Sequence, residues 1–141
     1  MRPRWLALTA TIGLAASAAS AADPTGTWLT KDGEAKVRIG SCGEAVCERI
    51  VWLKEPLDEA GEARRDRNNP AADLRARSIL GLAIIEGMLP DGPASWGGGR
   101  MYSPRDGRSY RATMRLARPD LLEVRGCVLV VCDSQAWTRP E

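Results

Sequence analysis

Asp66, Asn69, Arg75 and Arg77 are the residues whose types and spacing come closest to a chemical site in this chain. If Leu74 points inward, Arg75 and Arg77 share one side of an extended segment, because side chains alternate along a strand. Two guanidiniums beside one carboxylate form a fork that suits a carboxylate or phosphate ligand. The same residue types also build a commoner object. Asp66 can fix an arginine in a structural ion pair, and Asn69-Pro70 can make a turn. Trp96 and Tyr102, with Trp52 and Tyr110, are the large rings of the body of the chain and could line a ligand cavity at a barrel mouth. In a sequence with no Phe, such rings are also needed to fill a core. The candidate ligand-binding set is therefore Asp66, Asn69, Arg75, Arg77, Trp96 and Tyr102.

Catalysis is poorly served. There is no His, so no imidazole base. The four Cys are expected to be oxidised, which removes a thiolate nucleophile. No Gly-x-Ser-x-Gly elbow occurs. Gly97-Gly98-Gly99 lacks the Lys-Ser/Thr ending of a phosphate loop and reads as a flexible turn or a bend at a barrel rim. Carboxylates are plentiful, but their spacing selects neither an acid/base pair nor a metal site. The expectation is a protein that is not an enzyme, with no cofactor and no metal.

The start of the chain reads as an export signal. Arg2 and Arg4 precede a mostly apolar run from Trp5 to Ala16, and Ala19-Ser20-Ala21 offers small residues at a cleavage site. The run is shorter than the ~20 residues a membrane span needs. Cleavage after residue 22 would leave one domain, 23–141, with a periplasmic or secreted destination. Removing Arg2 and Arg4 takes Lys+Arg from 20 to 18, against 18 Asp+Glu. A net charge near zero disfavours nucleic-acid binding or membrane adhesion by bulk charge.

Cys42, Cys47, Cys127 and Cys132 are an even set, as expected of disulfides in an exported chain. Three pairings are possible. The local pairs Cys42–Cys47 and Cys127–Cys132 are preferred for their identical spacing. Each requires a chain reversal, because a disulfide needs Cα atoms about 5.5 Å apart.

Those reversals fit a chain built of hairpins. Turn signals recur at Lys31-Asp32-Gly33, Gly43-Glu44, Asp91-Gly92, Asp106-Gly107 and Pro119-Asp120. Between them, residues alternate with period two, as in Arg111, Thr113, Arg115 against Ala112, Met114, Leu116. The pattern predicts strands at 25–30, 35–42, 47–54, 79–88, 99–103, 109–117, 121–127 and 134–139. Eight short sequential strands fit an up-and-down all-β antiparallel barrel. A long polar loop, 56–78, interrupts the rhythm, and a connection of this length is usually functional or mobile. A short helix is predicted at 71–77, with Asn69 capping and Pro70 at its start.

Gly26-x-Trp28 at the front of this domain and Trp137-x-Arg139 at its end resemble the closure of lipocalin-like barrels. There an arginine stacks on an indole and seals one end. A wider series agrees: Cys42-Gly43 with Cys47, Val51-Trp52-Leu53, Asp66, Asn69-Pro70, Leu74-Arg75-x-Arg77, Gly81-Leu82, Trp96, Gly99, Tyr102-Ser103-Pro104-x-Asp106-Gly107-x-x-Tyr110, and Leu122-x-Val124-x-Gly126. In this order the residues resemble the bacterial domain-of-unknown-function 2147 family over nearly all of the mature chain. Two departures stand out. The position after Cys47, often Gly in the family, is Glu48, and the stretch between Cys127 and Cys132 is shorter than usual. The resemblance implies an exported, lipocalin-like (calycin-type) eight-stranded barrel and supplies no activity. The expected function is binding of a small, partly apolar or anionic ligand, with Arg75 or Arg77 near the barrel mouth. The alternative is a structural or interaction module of the cell envelope, its barrel filled by its own side chains.

Overall fold

A computed structural model describes residues 13–16 and 21–141. Most of the predicted leader, 1–12 and 17–20, lies outside the described residues. The strands are β1 (Gly26–Leu29), β2 (Ala35–Cys42), β3 (Ala45–Leu53), β4 (Ala83–Gly92), β5 (Ser95–Ser103), β6 (Arg108–Arg118), β7 (Leu121–Val128) and β8 (Val131–Thr138). They pair antiparallel in sequence order and close into one barrel, all-β as expected. The start of β1, the end of β8 and the β2–β3, β4–β5 and β6–β7 turns share one end. The β1–β2, β5–β6 and β7–β8 turns share the other end with the long β3–β4 connection.

Alternation builds the core. In β2, Val37 and Ile39 are buried while Arg38 is exposed; in β6, Ala112 and Met114 are buried between exposed arginines. Inward residues from every strand, among them Trp28, Ile85, Met88, Trp96, Leu122, Val124 and Trp137, form one continuous cluster. Small residues make room for the large ones. A Cβ on Gly99 would collide with the Sδ of Met88, and one on Gly126 would stand 2.7 Å from Met101 Cε. The interior is packed with the barrel's own side chains.

The first end is closed by Arg139. Its guanidinium carbon lies 4.2 Å from the Trp28 ring centre. Arg139 Nη1 donates to the Thr25 carbonyl at 2.9 Å and Nε to the Pro119 carbonyl at 2.8 Å. Gly26, at φ +115°, passes directly over this side chain, and a Cβ there would be 2.7 Å from Nη1. That close approach explains the glycine in Gly-x-Trp. Both local disulfides form: Cys42–Cys47 spans the β2–β3 turn and Cys127–Cys132 the β7–β8 turn, with Cα separations of 5.8 and 4.1 Å.

Several predicted elements are corrected. Two strands start early: β5 opens at Ser95 rather than 99 and β8 at Val131 rather than 134, because Gly92 pairs with Ser95 and Val128 with Val131 across tight hairpin turns. The fourth strand begins at Ala83 rather than 79, because Gly81 takes φ +88° and Ile79 to Leu82 are held by the loop and by Ile50. The predicted helix is only a 3-10 turn, Ala72–Leu74. Asn69 Oδ1 accepts from the Ala71 N–H in a tight local turn, while the Arg77 carbonyl accepts from Asp66 N, so the segment's backbone is committed elsewhere. Gly97 to Gly99 is not a rim turn. It lies inside β5, where Gly98 at φ +71° marks a shift in register between Trp96 and Gly99.

Candidate functional site

The β3–β4 connection folds over the outside of the barrel wall. Its own turns shape it first: Asp58 Oδ1 accepts from the N–H groups of Ala60 and Glu62, both at 3.0 Å, and Arg67 donates to Asp58 Oδ2 at 2.7 Å. Two bridges, Leu57↔Ala63 and Arg65↔Ser78, draw its limbs together. Asn68 then pins it to the β5–β6 turn by donating to the carbonyls of Pro104 and Arg105 at 3.2 and 2.8 Å. Gly107 lies so close beneath the Asn68 carbonyl that no side chain fits there. Arg105 in turn bonds Asp32 and Glu34 of the β1–β2 turn, both at 2.5 Å, so loop and turns form one connected rim.

Asp66 is the hub beneath this loop. It is fully buried, and each oxygen is satisfied. Oδ1 accepts from the Tyr102 hydroxyl at 2.6 Å. Oδ2 accepts from Asn69 Nδ2 at 2.9 Å and from Arg77 Nε at 2.8 Å. Asn69 Nδ2 also reaches the Tyr102 oxygen at 3.1 Å, and the Arg77 guanidinium lies 5.4 Å from the Tyr102 ring centre. Burial alone would raise the Asp66 carboxyl. The donors Tyr102, Asn69 and Arg77 outweigh it and hold the group below the usual carboxylate value. Burial, then the hydrogen bond it donates to the Asp66 carboxylate, pushes the Tyr102 hydroxyl up.

Four of the six candidate residues thus meet: Asp66, Asn69, Arg77 and Tyr102. Arg75 does not join them. Its Nε donates to the Asn69 carbonyl at 2.7 Å and its Nη2 to the Pro70 carbonyl at 3.3 Å, so it props the loop. The fork required an extended chain, but Arg75 caps the 3-10 turn Ala72–Leu74 in helical backbone (φ −66°, ψ −22°), so the two arginines do not share one side of a strand. Trp96 is a core residue opposite Met114, buried in the barrel. Tyr102 is on the other face of β5, since its neighbour Met101 packs against the interior and Tyr102 contacts the loop. The cluster therefore sits on the outer wall, not in the barrel mouth.

A cleft of about 480 Å³ opens beside it, lined by Asn69, Arg77, Glu86, Gly98, Arg100 and Tyr102. Glu86 and Arg100 are register partners on β4 and β5 with their side chains exposed. Arg100 makes no ion pair among the described residues. A second groove, lined by Arg49, Leu80 and Leu82, shares Arg77 and Glu86 with the first. Sequence reasoning missed Arg100 and Glu86. The signal was their parity: each alternates with inward residues of its strand and so must face outward.

It also missed Glu48. This residue is 1% exposed inside the barrel, with Ile39 and Ile85 as register partners, and neither carboxyl oxygen has a hydrogen-bond partner. Burial pushes its carboxyl up to about 8. Its place between Val46 and Ile50, on the inward parity of β3, was readable. Among the described residues no group of acidic, His or Cys side chains is arranged to hold a metal, and no helix is long and apolar enough to cross a membrane.

No curated protein matches the chain. Among solved structures, the one described as "Protein HP1028 from the human pathogen Helicobacter pylori belongs to the lipocalin family" superposes with a TM-score of 0.75, covering 85% of this chain and 84% of that one at 19% identity. Likeness at that identity speaks for the fold. The family model DUF2147, described as an uncharacterized protein conserved in bacteria, matches residues 26–139. With the match running from Gly26 at the start of β1 to the Arg139 seal, the chain belongs to the DUF2147 family, on a lipocalin-like barrel.

Proposed function

We propose that this is an exported, non-enzymatic binder of a small ligand with an anionic group, received in the outer cleft beneath the β3–β4 loop. The observation that carries the reading is the pairing of a fixed and a free guanidinium. Arg77 is held by Asp66 and lies against the Tyr102 ring, whereas Arg100 lines the same cleft without an ion pair among the described residues. A pre-oriented cation beside an adaptable one suits a carboxylate or phosphate, and the exposed Glu86 can accept from a hydroxyl or amine on the same ligand. The packed interior supports the outer wall as the place of binding, rather than the barrel lumen. Export is supported by the two disulfides and the leader-like start. The non-enzymatic reading is supported by the absence of His, by Cys held in disulfides, and by the burial of Glu48 away from the cleft.

The test is native mass spectrometry of the chain isolated from the bacterial envelope, beside an Arg100→Ala variant. A small molecule retained by the natural chain and lost from the variant supports the reading. A bare natural chain, or equal retention by both, overturns it. The packed interior also favours a second reading, an envelope interaction module whose loop contacts a protein partner. Crosslinking in the envelope that captures one defined protein through the 56–78 loop would support that alternative.

A further inference from the structure

The β7–β8 hairpin ends in Val128, Leu129, Val130 and Val131, which are 48, 80, 94 and 74% exposed. Surface aliphatics usually stand singly; here four follow one another at a projecting tip. Leu129 is the one non-glycine residue with positive φ among the described residues, at 53°. It is the first of the two residues between the strands, the place where a hairpin turn of this kind favours Gly. The turn thus gives up its preferred residue and exposes apolar surface at the same point. Departures from local rules of this sort concentrate where function needs them.

The surroundings suit a tip that leaves water. Cys127 and Cys132 face each other across the ladder, and their disulfide braces the base of the hairpin. The Leu129 carbonyl accepts from Arg111 Nη2 at 2.7 Å, so a backbone group at the turn is already satisfied. Arg111, opposite Cys127, reaches forward to the turn, and Arg125, opposite Ser134, stands behind it; both side chains are exposed, and one acid, Asp133, shares that stretch. At about 3.3 Å per residue the tip reaches roughly 7–10 Å past the disulfide, the depth of the headgroup and acyl boundary.

We propose that this hairpin tip inserts into the surface of a phospholipid bilayer, with Arg111 and Arg125 meeting lipid phosphates. A protein groove would read one face of a hairpin. Val128 and Val131 are register partners and share one face. Leu129 and Val130 in the turn itself are 80 and 94% exposed, so the apolar surface extends beyond that face, which an apolar medium accommodates and a one-sided groove does not. Charge complementarity between the two arginines and headgroup phosphate selects the bilayer. Insertion would be driven locally by the tip, so a near-neutral net charge does not oppose it.

The test is co-sedimentation of the mature chain with phosphatidylethanolamine/phosphatidylglycerol vesicles. The comparison variant is Leu129→Gly with Val130→Ser, which gives the turn residues it favours while removing the apolar tip. The expected result is vesicle binding by the natural chain that falls at least tenfold in the variant, with Tm unchanged or raised. A Val130→Trp variant should show a blue-shifted emission on adding vesicles. No binding by the natural chain, equal binding by the turn variant, or an unmoved Trp emission overturns the proposal. So does a natural chain that dimerises through the tip and ignores vesicles, which would make the occupant a second copy.

Discussion

Two buried carboxyls show how environment decides what a residue type does. Asp66 has donors on both oxygens and is held ionised. Glu48 has none, and burial lifts it to about 8. Folded protein therefore binds the Glu48 proton more tightly than the unfolded chain, whose group titrates near 4.5. Stability from this group is fully present below pH about 4.5 and is lost as pH rises toward about 8. The span is on the order of 5 kcal/mol, a large share of a small domain's stability. Urea denaturation of the natural chain should show its midpoint falling across that window. In Glu48→Gln the slope should vanish and stability at pH 8 should exceed that of the natural chain. A natural midpoint that is flat between pH 5 and 8 would show that Glu48 finds a partner when ionised. Of the two carboxyls, the sequence made Asp66 visible, because its neighbours Asn69 and Arg77 are close along the chain. Glu48 was hidden because its isolation depends on Ile39 and Ile85, which reach it only through pairing.

At the scale of elements, β5 carries a decision that composition conceals. Gly97-Gly98-Gly99 has the look of a turn, yet it lies within a strand. Gly98 supplies a positive φ, and Gly99 makes room for Met88. A Cβ at Gly99 would also stand 2.8 Å from the Glu86 carbonyl, on backbone that cannot swing away. Gly99→Ala should destabilise the fold by about 2 kcal/mol through overpacking, read as a lower urea midpoint. Gly40→Ala is the control: β2 leaves open space there, so its midpoint should hardly move. Equal loss in both would mean that strand propensity, not the Met88 contact, sets the cost. Eight strands and their order were legible because period-two alternation and hairpin turns are local signals. The bulge in β5 and the late start of β4 were not, since both follow from partners across the sheet. The site was legible in the same uneven way. Asn69-Pro70 announced a turn, but its 3-10 continuation sent Arg75 to the loop's own carbonyls, and only folding brought Tyr102 over Asp66.

For the molecule as a whole, the closure of the barrel is uneven. Each neighbouring pair from β1–β2 to β7–β8 is joined by several register pairs, but β1 and β8 share one, Leu29↔Thr138. The backbone ladder is thus thinnest where the sheet must meet itself. Arg139 supplies what the ladder lacks. It stacks on Trp28, and its guanidinium donates to the carbonyls of Asp23, Thr25 and Pro119, which ties the entry to β1 to the β6–β7 turn. These contacts close the same end from three directions, and Gly26 leaves the space in which they are made. Arg139→Met keeps much of the aliphatic bulk and loses the stacking charge and all three donors. It should cost about 2–3 kcal/mol. The loss should be local before it is global. Amide hydrogen exchange should quicken first in β1 and the last residues of β8, while β6 and β7, joined along their length, keep their protection. If every strand loses protection together, the seam has no separate opening and the barrel unfolds as one unit. If β1 opens alone, the residue that seals the barrel is also the one that sets where it first comes apart.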